Sequence, residues 1–435
     1  MKRLLQILSA YFKTKRMAGW TSREKLEVWQ EKKLNQQLKY IKKRSPYFQR
    51  VLEGVESLSI KDLPKLPVMD KEVMMEHFDE LNTVNIHKTE AFEIALKAED
   101  TRDFSPMIGS ITVGLSSGTS GNRGLFLVSE EERNMWAGTI LAKLLPDGLK
   151  SKERIAFFLR ANSNLYGSVT SNRISFAFFD LLDDLDVHVK RLNDSNPTIL
   201  AAPPSMMRML AEKKAEGILR ISPKKIITMA EVLDPLDETM IEAAFGHRVH
   251  QVYQCTEGFL AATCSRGTLH LNEDIVIIEK EFLDEDRFSP IITDFTRKTQ
   301  PIIRYKLNDI LTLKKGGCSC GSPMTAIAQI EGRCDDIFYF KNKNDVVVPV
   351  FPDFIRRSVI TASASIREYK VIQAADRVLE VQLAAEGDGI EEIVRKNLED
   401  FFLRIELEVP DIRFTPYTPN QKLQKLKRIE RKVDK

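Results

Sequence analysis

Residues Leu115 to Gly124 read LSSGTSGNRG. The stretch combines glycines, hydroxyls and a single cation, Arg123, with almost no apolar side chain. Two chemistries fit it. One is a plain surface turn. The other is a phosphate cradle, in which the backbone N–H groups and hydroxyls of Ser116, Ser117, Gly118, Thr119, Ser120, Gly121 and Gly124 face an anion and Arg123 balances its charge. The stretch matches neither the Walker loop, which needs lysine and then Ser or Thr after the second glycine, nor the dinucleotide fingerprint. On the loop alone both readings stand. A second candidate is YQCTEG, Tyr253 to Gly258. At the carboxyl end of a strand, Tyr253 can stack on a base, Thr256 can donate to a phosphate and Glu257 can hold Mg²⁺; the alternative is a polar strand end. In IIRYKLNDI, Asp309 can accept from two ribose hydroxyls or form an ordinary Asn-Asp turn. In EGRCDD, Arg333 with two carboxylates sits at the inferred domain boundary, where an inter-domain salt bridge is the ordinary reading.

The cysteines form a separate group. Cys264 and His270 are spaced C-x5-H, and Cys318 and Cys320 are spaced C-x-C. Three thiols and an imidazole suit tetrahedral Zn²⁺. Buried free thiols are the alternative, but the hydrophilic, glycine-flanked contexts TCSRG and GGCSCGS do not read as core. Cys255 and Cys334 lie inside the candidate nucleotide segments and are not taken as ligands. Five cysteines in 435 residues do not make a secreted disulfide scaffold, so a reduced, cytoplasmic protein is expected.

These residues need elements to position them. A chain of 435 residues exceeds one ordinary core, so two or more domains are expected. With 65 basic and 62 acidic residues the net charge is +3, which gives no global argument for nucleic acid or an anionic membrane. No apolar run is long enough to span a bilayer. The opening MKRLLQILSAYFKTKR has a short apolar run without a small-residue cleavage site, and reads as an amphipathic helix. A second amphipathic helix covers Arg23 to Lys43 and is broken by RSPYF. From Arg154 onward, short apolar runs alternate with helical patterns: RIAFFLRA, ISFAFFDLL, TILAAPP, KIITMAE and RVHQVYQCTE against PSMMRMLAEKKAEG and DPLDETMIEAAFG. That alternation predicts a parallel sheet covered on both faces. After Gly267 the pattern becomes strand-rich. A last block contains RVLEVQLAA, a helix near Ile390 to Phe402, another strand and a basic tail. The expected fold class is α/β: a large N-terminal domain, residues 1–332, with mixed and parallel sheets flanked by helices plus a β-rich portion, and a small α+β C-terminal domain, residues 333–435.

In this order and at these spacings, the segments resemble the adenylate-forming superfamily of acyl-CoA synthetases, luciferases and adenylation domains. They are most similar to the phenylacetate-CoA ligase branch and its relatives near the synthetase that adenylylates a deazaflavin coenzyme. The resemblance runs from the helix before RSPYF to the tail. It implies that SSGTSGNRG binds ATP phosphates, that Tyr253, Thr256 and Glu257 serve adenine and Mg²⁺, that Asp309 binds ribose and that Arg333 contacts nucleotide. It further implies that Asp335 is the hinge of a mobile C-terminal domain and that TMAEVL places Glu231 on the strand before the adenine site. The chain departs from the pattern at Arg123, Gln254 and Asn308, where lysine, glycine and glycine are usual. The catalytic lysine implied for the tail is Lys425, with Lys422 as alternative. Relatives on this branch carry a similar Cys–His and C-x-C set around a structural metal. The implied chemistry is attack of a carboxylate on the α-phosphorus of ATP with release of pyrophosphate, ATP and Mg²⁺ being required. Coenzyme A as second acceptor stays open, as does a phenolic hydroxyl in place of the carboxylate. The implied partner is a small-molecule acid or phenol, with no nucleic acid and no membrane span, and the chain a monomer or homodimer. A rival reading is a non-catalytic module whose basic tail, as a helix, binds nucleic acid or an anionic surface.

Overall fold

The first sheet is a small antiparallel one of β1 (Met107–Ile108), β2 (Ile111–Leu115) and β3 (Leu125–Val128). Val113, Leu125 and Leu127 pack with Ala91 and Ala95 of the helix Lys88–Asp100. In this computed structural model, residues 2–101, 106–116, 123–159, 170–419 and 426–433 are described.

The apolar runs after Arg154 form β4 (Glu153–Leu159), β5 (Ile174–Asp180), β6 (Ile199–Ala202), β7 (Lys225–Thr228) and β8 (Val249–Gln254). They pair in parallel in the order β5-β4-β6-β7-β8. Strands covered on both faces read as near-continuous apolar runs, and every residue of β6 and β7 is buried, Lys225 and Thr228 at the ends of β7 included. One face carries the helices Leu185–Ser195, Pro204–Ala215 and Pro235–Phe245, packed through Leu192, Met207, Leu210 and Ile241 onto Phe158, Leu200 and Ile226. The other face carries Lys2–Ala18 and Glu130–Leu144, through Ile7, Tyr11, Ala137 and Leu141 onto Phe157, Ile199 and Ile227. Gly138 lets those two helices close: a Cβ there would lie 2.3 Å from the Ile7 carbonyl oxygen.

The sheet then changes character. β9 (Phe259–Thr263) is antiparallel to β8, and the series continues with β10 (Leu269–Leu271), β11 (Val276–Phe282), β12 (Arg287–Asp294), β13 (Ile302–Lys306), β14 (Asp309–Leu313) and β15 (Ala326–Arg333). Among the described residues this gives a twelve-stranded mixed sheet, β11-β12-β14-β15-β10-β9-β8-β7-β6-β4-β5, with β13 on β12.

The chain divides into two units, Met1–Leu307 with Thr312–Gln329, and Asn308–Leu311 with Ile330–Lys435. The smaller unit contains the hairpin β16 (Phe338–Lys341) and β17 (Val347–Val350), and four further strands: β18 (Ile366–Ala375), β19 (Val378–Ala385), β20 (Asp411–Pro416) and β21 (Ile429–Arg431). The four form a sheet in the order β20-β19-β18-β21. Helices Pro352–Ile360 and Ile390–Arg404 cover it, with Tyr369, Val371, Leu379, Leu398, Phe401 and Phe402 at the core. The basic tail is corrected here. Its described part is a strand, β21, parallel to β18, because Ile429 fills the core while the flanking cations meet carboxylates. Arg428 pairs with Glu368 at 2.9 Å, Lys370 with Glu430 at 2.8 Å and Lys427 with Asp336 at 2.9 Å.

Candidate functional site

The carboxyl ends of β6, β7 and β8 bring three segments to one edge of the larger unit. After β7, Ala230 takes φ +68, the left-handed region that an L-residue enters only under constraint. The strand therefore stops at Thr228, and Glu231 lies in the following loop instead of on a strand. Its carboxylate accepts the Ser205 N–H at 3.2 Å, in the first turn of Pro204–Ala215, where helix N–H groups lack internal partners.

After β8 comes the turn Cys255–Gly258, closed by the Cys255 N–H donating to the Gly258 carbonyl at 3.0 Å. Tyr253 is buried opposite Ala261. The Thr256 hydroxyl donates to Glu257 Oε2 at 2.8 Å. The Tyr305 hydroxyl also meets the Glu257 carboxylate. Burial, and then that carboxylate, push the pKa of Tyr305 far above the usual tyrosine range, so its hydroxyl stays a donor. Glu257 is thus held as an oriented carboxylate, a hard oxygen ligand suited to Mg²⁺.

The hairpin β2–β3 delivers the glycine-rich loop. Its base is closed by Ser116 N–H to the Gly124 carbonyl at 2.8 Å and by Gly124 N–H to Ser116 Oγ at 2.8 Å. Ser117 to Gly121 lie outside the described residues. Arg123 is paired through both terminal nitrogens with Glu99, at 2.6 and 2.5 Å, so the cation read as a phosphate partner is held by a carboxylate in this state.

The segment DFTRKTQ, Asp294 to Gln300, was not singled out in the sequence, yet it ties the loop's hairpin to the Thr256 turn. Buried Arg297 donates to the Thr256 carbonyl at 3.2 Å and to the Leu127 carbonyl at 3.1 Å. Gln300 copies a strand edge, accepting from Leu127 N–H at 2.8 Å and donating to the Leu125 carbonyl at 3.1 Å. Glu132 caps its own helix with Ser129 and accepts the N–H groups of Lys298 and Thr299 at 2.6 and 2.9 Å. Asp294 is fully buried beside Gly258, where a Cβ would come within 3.0 Å of its Oδ2. Burial pushes its carboxyl up to about 6, against opposing hydrogen bonds from Thr296 and the charge of Arg297. The available signal was a polar run between apolar strands, which reads equally well as a loop.

In the smaller unit, Asp309 opens β14, Arg333 ends β15, and Asp335 lies in the short turn Cys334–Asp336. Asn308, the residue in place of the usual glycine, donates to Asp335 Oδ2 at 2.5 Å, and Cys334 N–H donates to the Asn308 carbonyl at 3.1 Å. Asp336 beside them is pushed up by burial, against the pull of Lys427. Lys422 and Lys425 lie outside the described residues.

The cysteine set converges. One ligand atom from each of Cys264, His270, Cys318 and Cys320 lies within 4.8 Å of the others. Cys264 Sγ and Cys318 Sγ are 3.8 Å apart, and Cys320 Sγ is 3.4 Å from His270 Nε2. His270 Nδ1 is 2.9 Å from the Met324 carbonyl, which fixes the tautomer that turns the Nε2 lone pair toward the thiols. Cys264 leaves β9 into a turn at Gly267, φ +84, and Cys318 and Cys320 sit in a turn with Gly316, Gly317 and Gly321 at positive φ. The donor set suits a tetrahedral, thiophilic divalent metal.

No family model matches the chain. It is 22% identical over 392 residues to a phenylacetate-coenzyme A ligase of Thermus thermophilus, covering 82% of this chain and 80% of that one. Among solved structures, a 2-hydroxyisobutyryl-CoA ligase in its postadenylation state superposes with a TM-score of 0.70 at 17% identity, covering 93% of this chain and 89% of the other. An amide bond synthetase of Marinactinospora thermotolerans superposes with a TM-score of 0.55 at 14% identity, covering 73% and 68%. The chain is thus similar in sequence to a phenylacetate-coenzyme A ligase and in fold to the 2-hydroxyisobutyryl-CoA ligase.

Proposed function

We propose that the protein is an ATP-dependent, AMP-forming ligase that activates a small carboxylic acid as its acyl-adenylate and passes the acyl group to coenzyme A. The observation that carries this is Arg297, whose one guanidinium bonds both the Thr256 carbonyl and strand β3 beside the glycine-rich loop. It joins the two segments that a nucleotide triphosphate needs. The carboxylate oxygen attacks the α-phosphorus, a P–O bond forms, and the bond to pyrophosphate breaks. Two anions must meet, so fixed donors and cations at the phosphates supply most of the rate. In this reading Thr256 and the loop N–H groups donate to phosphate oxygens, and Arg123 exchanges Glu99 for phosphate. Glu257 would hold Mg²⁺, which neutralises phosphate charge when bound. Asp309 holds ribose, Arg333 contacts the nucleotide, and Asp335 is the pivot about which the smaller unit would bring Lys425 to the α-phosphate. The cysteine cluster holds structural zinc.

The acid and coenzyme A are favoured over a phenol because the Thermus relative and the 2-hydroxyisobutyryl ligase are both named as CoA ligases, the latter solved also in a thioesterification state. The test is pyrophosphate release across a library of carboxylic acids and phenols, with and without coenzyme A. Thioester formation with one acid class supports the reading. Turnover of phenols alone, or none with any acid, overturns it. In the same assay Glu257→Gln should lose about two to four orders of magnitude. Lys425→Ala should abolish adenylation while Lys422→Ala stays mild.

A further inference from the structure

The first helix, Lys2–Ala18, is apolar on two faces. One face is accounted for: Ile7, Ala10, Tyr11, Thr14 and Met17 are buried, Gln6 accepts from Asn134 at 2.8 Å, and Gly138 admits the Ile7 carbonyl. The other face is not. Leu4, Leu5 and Phe12 are 58%, 61% and 62% exposed, and Leu8 is half-buried between them. At about 100° per residue these four fall within a single arc of about 100°, which borders the packed side at Tyr11 and takes in Lys15 at its C-terminal end. Scattered exposed leucines need no explanation, but a contiguous stripe on one helix does.

The charge around the stripe says what covers it. The helix carries Lys2, Arg3, Lys13, Lys15 and Arg16 and no acidic residue. Lys2, Arg3, Lys15 and Arg16 are exposed, and Lys13 lies 4.4 Å from the Trp29 ring. Neighbouring elements add cations: Lys33 beside Lys13, Lys225 beside Lys15 and Arg133 beside Arg3. Among the described residues, Asp274, already paired with Lys143 at 3.0 Å, faces Lys13, and Glu130 faces Arg133. A second copy of the chain docking through this face would set Lys2 and Arg3 against Lys15 and Arg16, like against like. An anionic bilayer would instead supply counter-charge to the exposed Lys2, Lys15 and Arg16 and an apolar layer for the stripe. No helix among the described residues is long and apolar enough to cross a membrane, so this one would lie in the interface plane.

We propose that Lys2–Ala18 is an interfacial anchor that seats the protein on anionic lipid bilayers, with Leu4, Leu5, Leu8 and Phe12 entering the acyl boundary and Lys2, Lys15 and Arg16 meeting lipid phosphates. The overall balance of charge conceals this because the excess is local.

The experiment is co-sedimentation of the full chain with vesicles of phosphatidylcholine alone or with an equal share of phosphatidylglycerol. Wild type should partition onto the anionic vesicles at low salt, at least about tenfold more than onto the neutral ones, and release as salt shortens the Debye length toward about 3 Å. Leu5→Ser/Phe12→Ser should lose at least about tenfold in partitioning with an unchanged melting temperature. Lys15→Glu/Arg16→Glu, which leaves the stripe intact, should lose binding too. Absence of wild-type partitioning onto anionic vesicles overturns the proposal, as does equal binding by both variants. Sedimentation velocity showing a wild-type dimer that Leu5→Ser/Phe12→Ser dissociates, without vesicle binding, assigns the face to a second copy instead.

Discussion

Removing metal from the cysteine cluster should lower the stability of the larger unit by an amount the geometry allows to be bounded. A tetrahedral zinc with bonds of about 2.3 Å to sulfur and about 2.0 Å to nitrogen sets edges of about 3.8 Å between sulfurs and about 3.5 Å between sulfur and nitrogen. Two of the corresponding separations are 3.8 and 3.4 Å, and all four ligand atoms lie within 4.8 Å of one another, so the thiols and imidazole need only draw in around a metal. With free zinc at about a hundred times the dissociation constant, binding adds about 2.7 kcal/mol. Unfolding entropy of about 2.1 cal/mol/K per residue, over the roughly 325 residues of the larger unit, converts this to about 4 °C. Untagged protein should therefore contain about one zinc per chain by mass spectrometry. A chelator should lower its melting temperature by at least that much, and Cys318→Ser/Cys320→Ser should melt low and ignore the chelator. Metal content near zero in freshly purified protein, with a double variant as stable as wild type, would refute the argument.

Three further outcomes are expected. Arg297→Met removes charge-assisted bonds to two buried carbonyls and should cost about 2–4 kcal/mol in urea unfolding; it should also raise the Mg²⁺ concentration needed for half-maximal pyrophosphate exchange, an effect a purely structural arginine would not show. Asp294, pushed up to about 6 from its ordinary 3.8, binds its proton more tightly folded than unfolded. Its contribution is complete below pH 3.8 and fades as pH rises through 6, so relative to Asp294→Asn the wild type should lose up to about 3 kcal/mol between pH 4 and 7; parallel pH profiles of the two proteins would sink this. Glu99→Gln frees Arg123 and should lower the KM for ATP at least about twofold while stability changes by under about 1 kcal/mol, the pair being partly exposed; an unchanged KM would remove Arg123 from the phosphate site.

The parallel half of the sheet was legible because a strand buried on both faces leaves a continuous apolar trace, and Pro204, Gly246 and the alternating helices punctuate it. The cysteine cluster was legible for a similar reason: thiols in glycine turns have little other use. The Asp294 to Gln300 segment was not legible. Its function lies in hydrogen bonds to backbone atoms of Leu125, Leu127 and Thr256, and backbone partners carry no sequence signature. Glu231 was misplaced because the residue that ends its strand, Ala230, has a composition indifferent to the positive φ it adopts. The tail's basic run masked a strand whose one buried residue, Ile429, is too little for a periodicity argument.

The charged candidate residues already have partners within their own unit. Arg123 has Glu99, Glu257 has Thr256 and Tyr305, and Asp335 has Asn308. A cation that must leave one carboxylate to meet a phosphate gains only the difference between two similar interactions. Phosphate contacts made this way add little to ground-state affinity, and they keep the loop's cation from trapping stray anions. The donors at the Thr256–Glu257 turn differ: in the proposed reaction they are oriented before charge develops at the α-phosphorus and need not reorganise when it appears. Arg297 and Tyr305 are the means of that orientation: both are buried, and each hydrogen-bonds the Thr256–Glu257 turn. The rigidity of the turn therefore comes from strands β12 and β13 and the segment between them, not from the turn's own sequence. For that reason a motif scan finds Thr256 and Glu257 but passes over the residues that fix them.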